Sequence, residues 1–165
     1  MKEHNEGFSI IELVVVTAIL VIMSGGAVFG LSYLDLANSS KCAAKIDSGM
    51  AVLKSKNMAQ VSATYMHLYN MDGDYYIEYS NDPDYVPSDS EHGEMIGNNR
   101  LTVSYKEGNE DTETVIGENE CKTFGIRKKD GAFTGTTEPT CEIYINGKSK
   151  HTVTLVTNTG KHFID

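Results

Sequence analysis

The feature that most constrains this chain is a run of 22 residues, 13–34, without a charged side chain. As a helix rising 1.5 Å per residue, the run would be about 33 Å long, enough for a hydrocarbon core of ~30 Å. It exceeds the apolar part of a secretory signal, and no small-residue cleavage site followed by a polar stretch closes it. The run is therefore predicted to stay with the protein and to cross a bilayer.

A helical pattern continues beyond the apolar run. Positions that are apolar except for Asn57 recur three or four residues apart, with lysines on the other faces: Ile46, Met50, Leu53, Asn57, Val61, Tyr65 and Leu68. This periodicity is typical of an amphipathic helix. It predicts one helix of roughly 60 residues that ends near Tyr69, apolar all round over 8–34 and amphipathic over 35–69.

The remainder, residues 70–165, is predicted to form a β-sheet head domain. It opens with an acidic, proline-containing stretch, 70–99, which indicates a surface loop with at most one short strand at 75–79. Six β-type runs follow, at 101–106, 112–116, 123–128, 141–145, 151–157 and 161–164, and Asn146-Gly147 marks a hairpin. Strands that follow one long helix predict an α+β fold, a small antiparallel sheet with the amphipathic half-helix on one face.

Charge is abundant and unevenly distributed. The chain has 14 basic and 23 acidic residues and a formal net charge of -9, which disfavours contact with a nucleic acid backbone. Residues 69–120 contain fourteen acids against Arg100 and Lys106, whereas 121–165 contain seven bases against four acids. One end of the head is therefore predicted to be acidic and the other mildly basic.

A specific motif stands directly before the apolar run. It reads Gly7-Phe8-Ser9-Ile10-Ile11-Glu12, and it resembles the processing site of type IV pilins and pseudopilins. The resemblance implies that a prepilin peptidase cuts after Gly7, removes the leader 1–7 and N-methylates Phe8. Glu12 matches the family's glutamate at the fifth mature position. The acidic leader and the absence of proline in the apolar run depart from the family pattern.

What the resemblance implies is a structural subunit rather than an enzyme, with no cofactor and no metal. Its partners would be the peptidase, other pilin or pseudopilin subunits, the membrane and an assembly machinery. Before assembly the chain would sit in the inner membrane with its head outside, and afterwards in a fibre in the periplasm or at the cell surface. The ending, 141–164, is similar to H-type minor pseudopilins of type II secretion. A major pilin and a DNA-uptake fibre remain open.

Glu12 has two interpretations. An acid within a bilayer is costly, about 2.5 to 3.5 kcal/mol at the centre, and no basic side chain stands near Glu12 in sequence. Cleavage would convert the nitrogen of Phe8 into an amine with an unperturbed pKa of about 7.7 to 8.0, which pairs with Glu12 of a neighbouring subunit. The alternative is a capping box, Ser9-x-x-Glu12, with the acid at the positive end of the helix dipole.

The three cysteines have no spacing typical of a zinc site, and no metal site is predicted. A disulfide between Cys121 and Cys141 is one expectation, with Cys42 left free; two buried apolar thiols are the alternative. The acidic residues near Asp72 and Asp82 could offer oxygen ligands to calcium, but they fit a solvated loop better.

A rival function belongs to a different class. The chain would be a membrane-anchored binding module that never polymerises, with the stretch 70–99 recognising a ligand. Cross-linking near Phe8 and Glu12 discriminates between the two, because only a polymer gives adducts between subunits.

Overall fold

A computed structural model describes residues 9–88, 92–108, 111–136 and 138–165; for 25–36 it describes the backbone only. Contacts divide the chain after Leu34 into two units, and the second, Asp35–Asp165, contains every strand found among these described residues. The predicted processing residues Gly7 and Phe8 lie outside the described residues.

Helix α1 runs from Ile10 to Ala59 and stops ten residues before the predicted end. The buried side chain of Asn57 explains the stop. Its Nδ2 donates to Leu53 O at 3.2 Å and to Thr64 O at 2.7 Å, and its Oδ1 accepts from Thr64 N at 3.0 Å. These bonds hold the end of the helix against the chain that leaves it, so the next element starts at Tyr65.

That next element is strand β1, Tyr65–Met71, which the periodicity assigned to the helix. The apolar positions Val61, Tyr65 and Leu68 fit a helical spacing by coincidence. In the structure Val61 is exposed, while Met66 and Leu68 alternate into the core, as the period of a strand requires. Its sequence, YMHLYNM, contains no β-branched residue, so the pairing with neighbouring strands, and not intrinsic propensity, makes it a strand.

In the part of the chain that the structure describes, ten strands form two sheets whose neighbouring strands pair antiparallel. The other strands are β2 Asp74–Ser80, β3 Glu94–Gly97, β4 Thr102–Glu107, β5 Thr114–Val115, β6 Cys121–Ile126, β7 Phe133–Thr134, β8 Thr140–Asn146, β9 Lys150–Val156 and β10 Lys161–Ile164. The first sheet has the order β3-β2-β1-β6-β7, and the second has the order β10-β9-β8-β4-β5. The stretch 70–99, predicted as a loop with at most one short strand at 75–79, contains that strand as β2 and a second strand, β3.

One hydrophobic core joins the two sheets and the second part of α1. Helix residues Cys42, Ala43, Ile46, Met50 and Leu53 form a cluster with Met66, Leu68, Ile77 and Phe124 of the first sheet and Val103, Ile143, Ile145 and Leu155 of the second. Strand β8 contributes to this core through one of its faces, because every second side chain along the strand is buried. The core therefore lies between the sheets.

The predicted fold class is wrong. The head is mostly β, with two five-stranded antiparallel sheets in place of one small sheet. The helical residues that enter the core lie between Cys42 and Asn57. The predicted long N-terminal helix, packed on a sheet as far as residue 69, is therefore not present. Within the described residues, no helix combines the length and the apolar character needed to cross a membrane.

The core makes a prediction about stability. Leu53 is fully buried and its neighbour Val52 is exposed. Leu53→Ala is expected to lower the free energy of unfolding of the head by about 2 to 5 kcal/mol, because it removes buried methyl groups and leaves a cavity. Val52→Ala is the matched control and should cost no more than about 0.5 kcal/mol. Urea unfolding followed by tyrosine fluorescence measures both; equal losses would contradict the assigned helix face.

Candidate functional site

The start of α1 is a completed capping box. Ser9 N donates to Glu12 Oε2 at 2.9 Å, and Ile11 N donates to Ser9 Oγ at 3.2 Å. The two side chains thereby satisfy backbone N–H groups that have no partner within the helix. The cap that the sequence suggested for Glu12 is present, and it uses one of the two carboxylate oxygens.

Behind the cap, the described side chains of the first unit present an apolar surface all round the helix. Each of the following is between 50 and 85 % exposed: Ile10, Ile11, Leu13, Val14, Val15, Val16, Ile19, Leu20, Val21, Ile22 and Met23. The hydroxyls of Thr17 and Ser24 donate back to carbonyls of the helix itself, at Leu13 and Leu20. A helix that is apolar on every side needs an apolar environment around it.

The cysteines are free thiols, so the predicted disulfide between Cys121 and Cys141 is not formed. Strand alternation separates their side chains. Cys141 points into the core, whereas Cys121 is three residues from Phe124 and lies on the opposite face of β6, across from Tyr69. Burial raises the pKa of the Cys42 and Cys141 thiols to about 12, and it also raises the pKa of Cys121. The alternative of two buried thiols at Cys121 and Cys141 holds for Cys141 only, because Cys121 is half-buried.

The outer face of the first sheet carries a polar cluster that lies under residues 81–88, here called the strap. His67 of β1 is fully buried at its centre. Its Nδ1 lies 3.0 Å from Thr123 Oγ1 and its Nε2 lies 2.9 Å from Ser80 Oγ. The ring of Tyr85, from the strap, covers the imidazole with the ring centroids 4.7 Å apart.

Two phenols of the cluster share one carboxylate. Tyr85 donates to Glu78 Oε2 at 2.6 Å, and Tyr69 donates to the same oxygen at 3.4 Å. Tyr69 in turn accepts from Gly93 N at 2.9 Å. Burial and the hydrogen bond to Glu78 raise the pKa of Tyr85, so the phenol stays protonated and keeps donating. These bonds fix both ends of the acidic segment between β2 and β3 to the sheet.

The sequence analysis missed this cluster, although a signal was present. Tyr65, His67 and Tyr69 alternate with the apolar residues of β1, and Tyr76, Glu78 and Ser80 alternate along β2. Once β1 is recognised as a strand, the period of two places both sets on one face. Because Tyr65 and Leu68 were assigned to a helix, the alternation was not used.

No group of three or more histidine, cysteine or acidic side chains in the described parts of the chain is arranged to hold a metal ion. Two of the acidic residues near Asp72 and Asp82 instead accept hydrogen bonds from backbone N–H groups, one of them distant in sequence and one local. Asp74 Oδ1 accepts from Asn99 N at 3.0 Å, and Asp82 Oδ1 accepts from Asp84 N at 2.9 Å.

Comparison of the chain with family models, curated proteins and solved structures gives no match.

The buried histidine makes a prediction about pH. Burial lowers the pKa of His67 below its usual value, while Glu78 and Asp82 act in the opposite direction. Below about pH 6.5 the unfolded chain therefore binds a proton that the folded chain binds less readily, so stability falls as the pH is lowered. Above that pH His67 contributes no pH dependence.

The expected result is a fall in the urea midpoint between about pH 7 and 5.5 that is smaller in His67→Gln, whose amide cannot take up the proton. His92→Gln, at an exposed position, controls for the loss of an imidazole. An NMR titration of the imidazole gives a direct measurement. A pKa above 6.5 for His67 would show that its acidic neighbours outweigh its burial.

Proposed function

We propose that the chain is a structural subunit of the type IV pilin or pseudopilin kind, which is processed after Gly7 and assembles into a fibre through its N-terminal segment. The observation that carries the proposal is the apolar surface around residues 10–23, which begins directly behind the capped motif. Neighbouring copies of the same segment supply the apolar environment that this surface needs.

The size of this surface makes assembly through it energetically reasonable. Complete burial of one large aliphatic side chain contributes about 1.5 to 3 kcal/mol. Burial of the exposed set would thus contribute on the order of 10 kcal/mol or more in water, which compares with an association cost of about 4 to 15 kcal/mol. In lipid the gain from burial is smaller, and close packing of the helices has to supply it.

Glu12 is placed to add one ion pair to this apolar contact between copies. Its Oε2 is held by Ser9 N, so the carboxylate points along the start of the helix while its second oxygen can accept a further hydrogen bond. Processing after Gly7 would create an ammonium group at Phe8. Pairing that group with Glu12 of the next copy offsets the cost of placing the carboxylate among apolar side chains.

Processing gives the first test. Gly7→Ala is expected to leave the precursor at its full length, whereas the wild-type protein made in a host with a prepilin peptidase begins at Phe8. Gly117→Ala is the matched control, since an added methyl there meets only the flexible side chain of Glu120. Intact-mass spectrometry measures both products. Normal shortening of Gly7→Ala would rule out this processing step.

The second test measures assembly by cross-linking. It separates the effect of the Glu12 charge from the effect of the helix cap. Glu12→Gln removes the charge but keeps an oxygen that can accept from Ser9 N, whereas Ser9→Ala removes the hydroxyl cap and keeps the charge. Glu12→Gln is expected to reduce cross-linking between subunits through Leu13→Cys by at least about tenfold, the equivalent of ~1.4 kcal/mol.

Ser9→Ala is expected to cost the helix about 1 kcal/mol while assembly persists. The reverse pattern, in which Ser9→Ala abolishes cross-linking and Glu12→Gln does not, would mean that Glu12 serves only as a cap. A chain that yields no adducts between subunits in any variant would favour the anchored binding module.

A further inference from the structure

The far end of α1 presents an apolar pair at the surface of the head. Val61, in the bend after the helix, is 99 % exposed, and Met58 of the last turn is 66 % exposed. The turn that follows β6 lies against this bend, because Lys128 Nζ donates to Gln60 O at 2.7 Å and also to Val61 O. We call Met58, Val61, Lys128 and Lys129 the basic tip.

The charge of the basic tip is unusual for this chain. Lys128 and Lys129 are exposed, and the adjacent acid, Asp130, is paired with Arg127 at 3.0 Å. The tip therefore joins an apolar centre to a cationic rim on a protein whose formal net charge is -9. An apolar centre with a polar rim is the usual anatomy of a protein interface.

The strap has the complementary character. Val86 is 78 % exposed, and the nearby acids Asp82 and Asp84 are exposed as well. The strap is held in place rather than loose, because Tyr85 is fixed by Glu78 and His67, and Asp82 N donates to Ser80 Oγ at 3.1 Å. It thus presents an exposed apolar side chain, close in sequence to two exposed carboxylates, on a segment held by hydrogen bonds.

We propose that the basic tip of one copy docks on the strap of the next copy. The two surfaces differ, so the contact is heterologous and can be repeated from subunit to subunit along a fibre. Charge complementarity selects the partner and its orientation, while Val61, Met58 and Val86 exclude water from the centre. The inference of this contact rests on the proposed function. The contact would fix the orientation of each head relative to the next one along the fibre.

The experiment uses the full-length chain and two kinds of subunit, distinguished by tags of different size. One carries Val61→Cys and the other carries Val86→Cys, both with Cys121→Ser; Cys42 and Cys141 are buried and stay unreactive. Mild oxidation of co-assembled subunits is expected to give the mixed adduct at least about tenfold above the two same-position adducts. Raising the salt to about 1 M, where the Debye length is ~3 Å, should reduce it several-fold.

A charge exchange tests the complementarity. Lys129→Glu in the Val61→Cys subunit is expected to reduce the mixed adduct at least about fivefold, and Asp84→Lys in the other subunit is expected to restore most of it. Lys148→Glu changes the net charge equally at an exposed position of the β8–β9 hairpin, and it should leave the adduct unchanged.

Three results would overturn the docking. The first is the absence of the mixed adduct while Leu13→Cys still cross-links, which leaves the proposed function intact. The second is a preference for the adduct between two Val61→Cys positions, which indicates a twofold contact. The third is an equal loss with Lys148→Glu, which indicates an effect of net charge. Absence of adducts at both Leu13→Cys and the heads would contradict the proposed function itself.

Discussion

The buried amide of Asn57 is the constraint on which the rest of the head depends. Its three hydrogen bonds close the helix at Ala59 and bring Thr64 back against the last turn, so that the chain enters β1 at Tyr65. Strand β1 is the middle strand of the first sheet, between β2 and β6. A helix that continued to Tyr69 would remove this strand and leave β2 and β6 without a common partner.

The position of β1 also determines how both faces of the first sheet are used. Met66 and Leu68 point into the core shared with α1 and the second sheet. The alternate residues His67 and Tyr69 are equally buried, but under the strap and among polar partners. Because every polar atom named in this cluster has a hydrogen-bond partner, burial of the cluster does not carry the cost of an unsatisfied group. The strap is thus held over this face of the sheet through Tyr85.

The N-terminal unit differs from the head in that its described apolar side chains are exposed. The side chains of Ser9 and Glu12 each accept from one backbone N–H at the start of the helix, and the hydroxyls of Thr17 and Ser24 donate to helix carbonyls. The apolar side chains of 10–23 nevertheless stay exposed. A segment with satisfied polar groups and an unsatisfied apolar surface is suited to packing against other apolar segments. The proposed docking of the heads would add a weaker, salt-sensitive contact whose main effect is on the orientation of subunits.

The sequence by itself determined the features that depend on neighbouring residues. The capping box at Ser9 and Glu12, six of the described strands after residue 100 and the apolar character of the run that begins at Leu13 all follow from local pattern, whereas β7 does not. The tertiary structure decided the end of α1, the division of the strands into two sheets and the burial of His67 under Tyr85. The reason is that each of these depends on partners distant in the chain. Asn57 stops the helix only with Thr64 in place, and Cys121 and Cys141 remain thiols because two different strands direct them to different faces. Local periodicity cannot distinguish a strand such as β1 from a helix until the sheet around it exists.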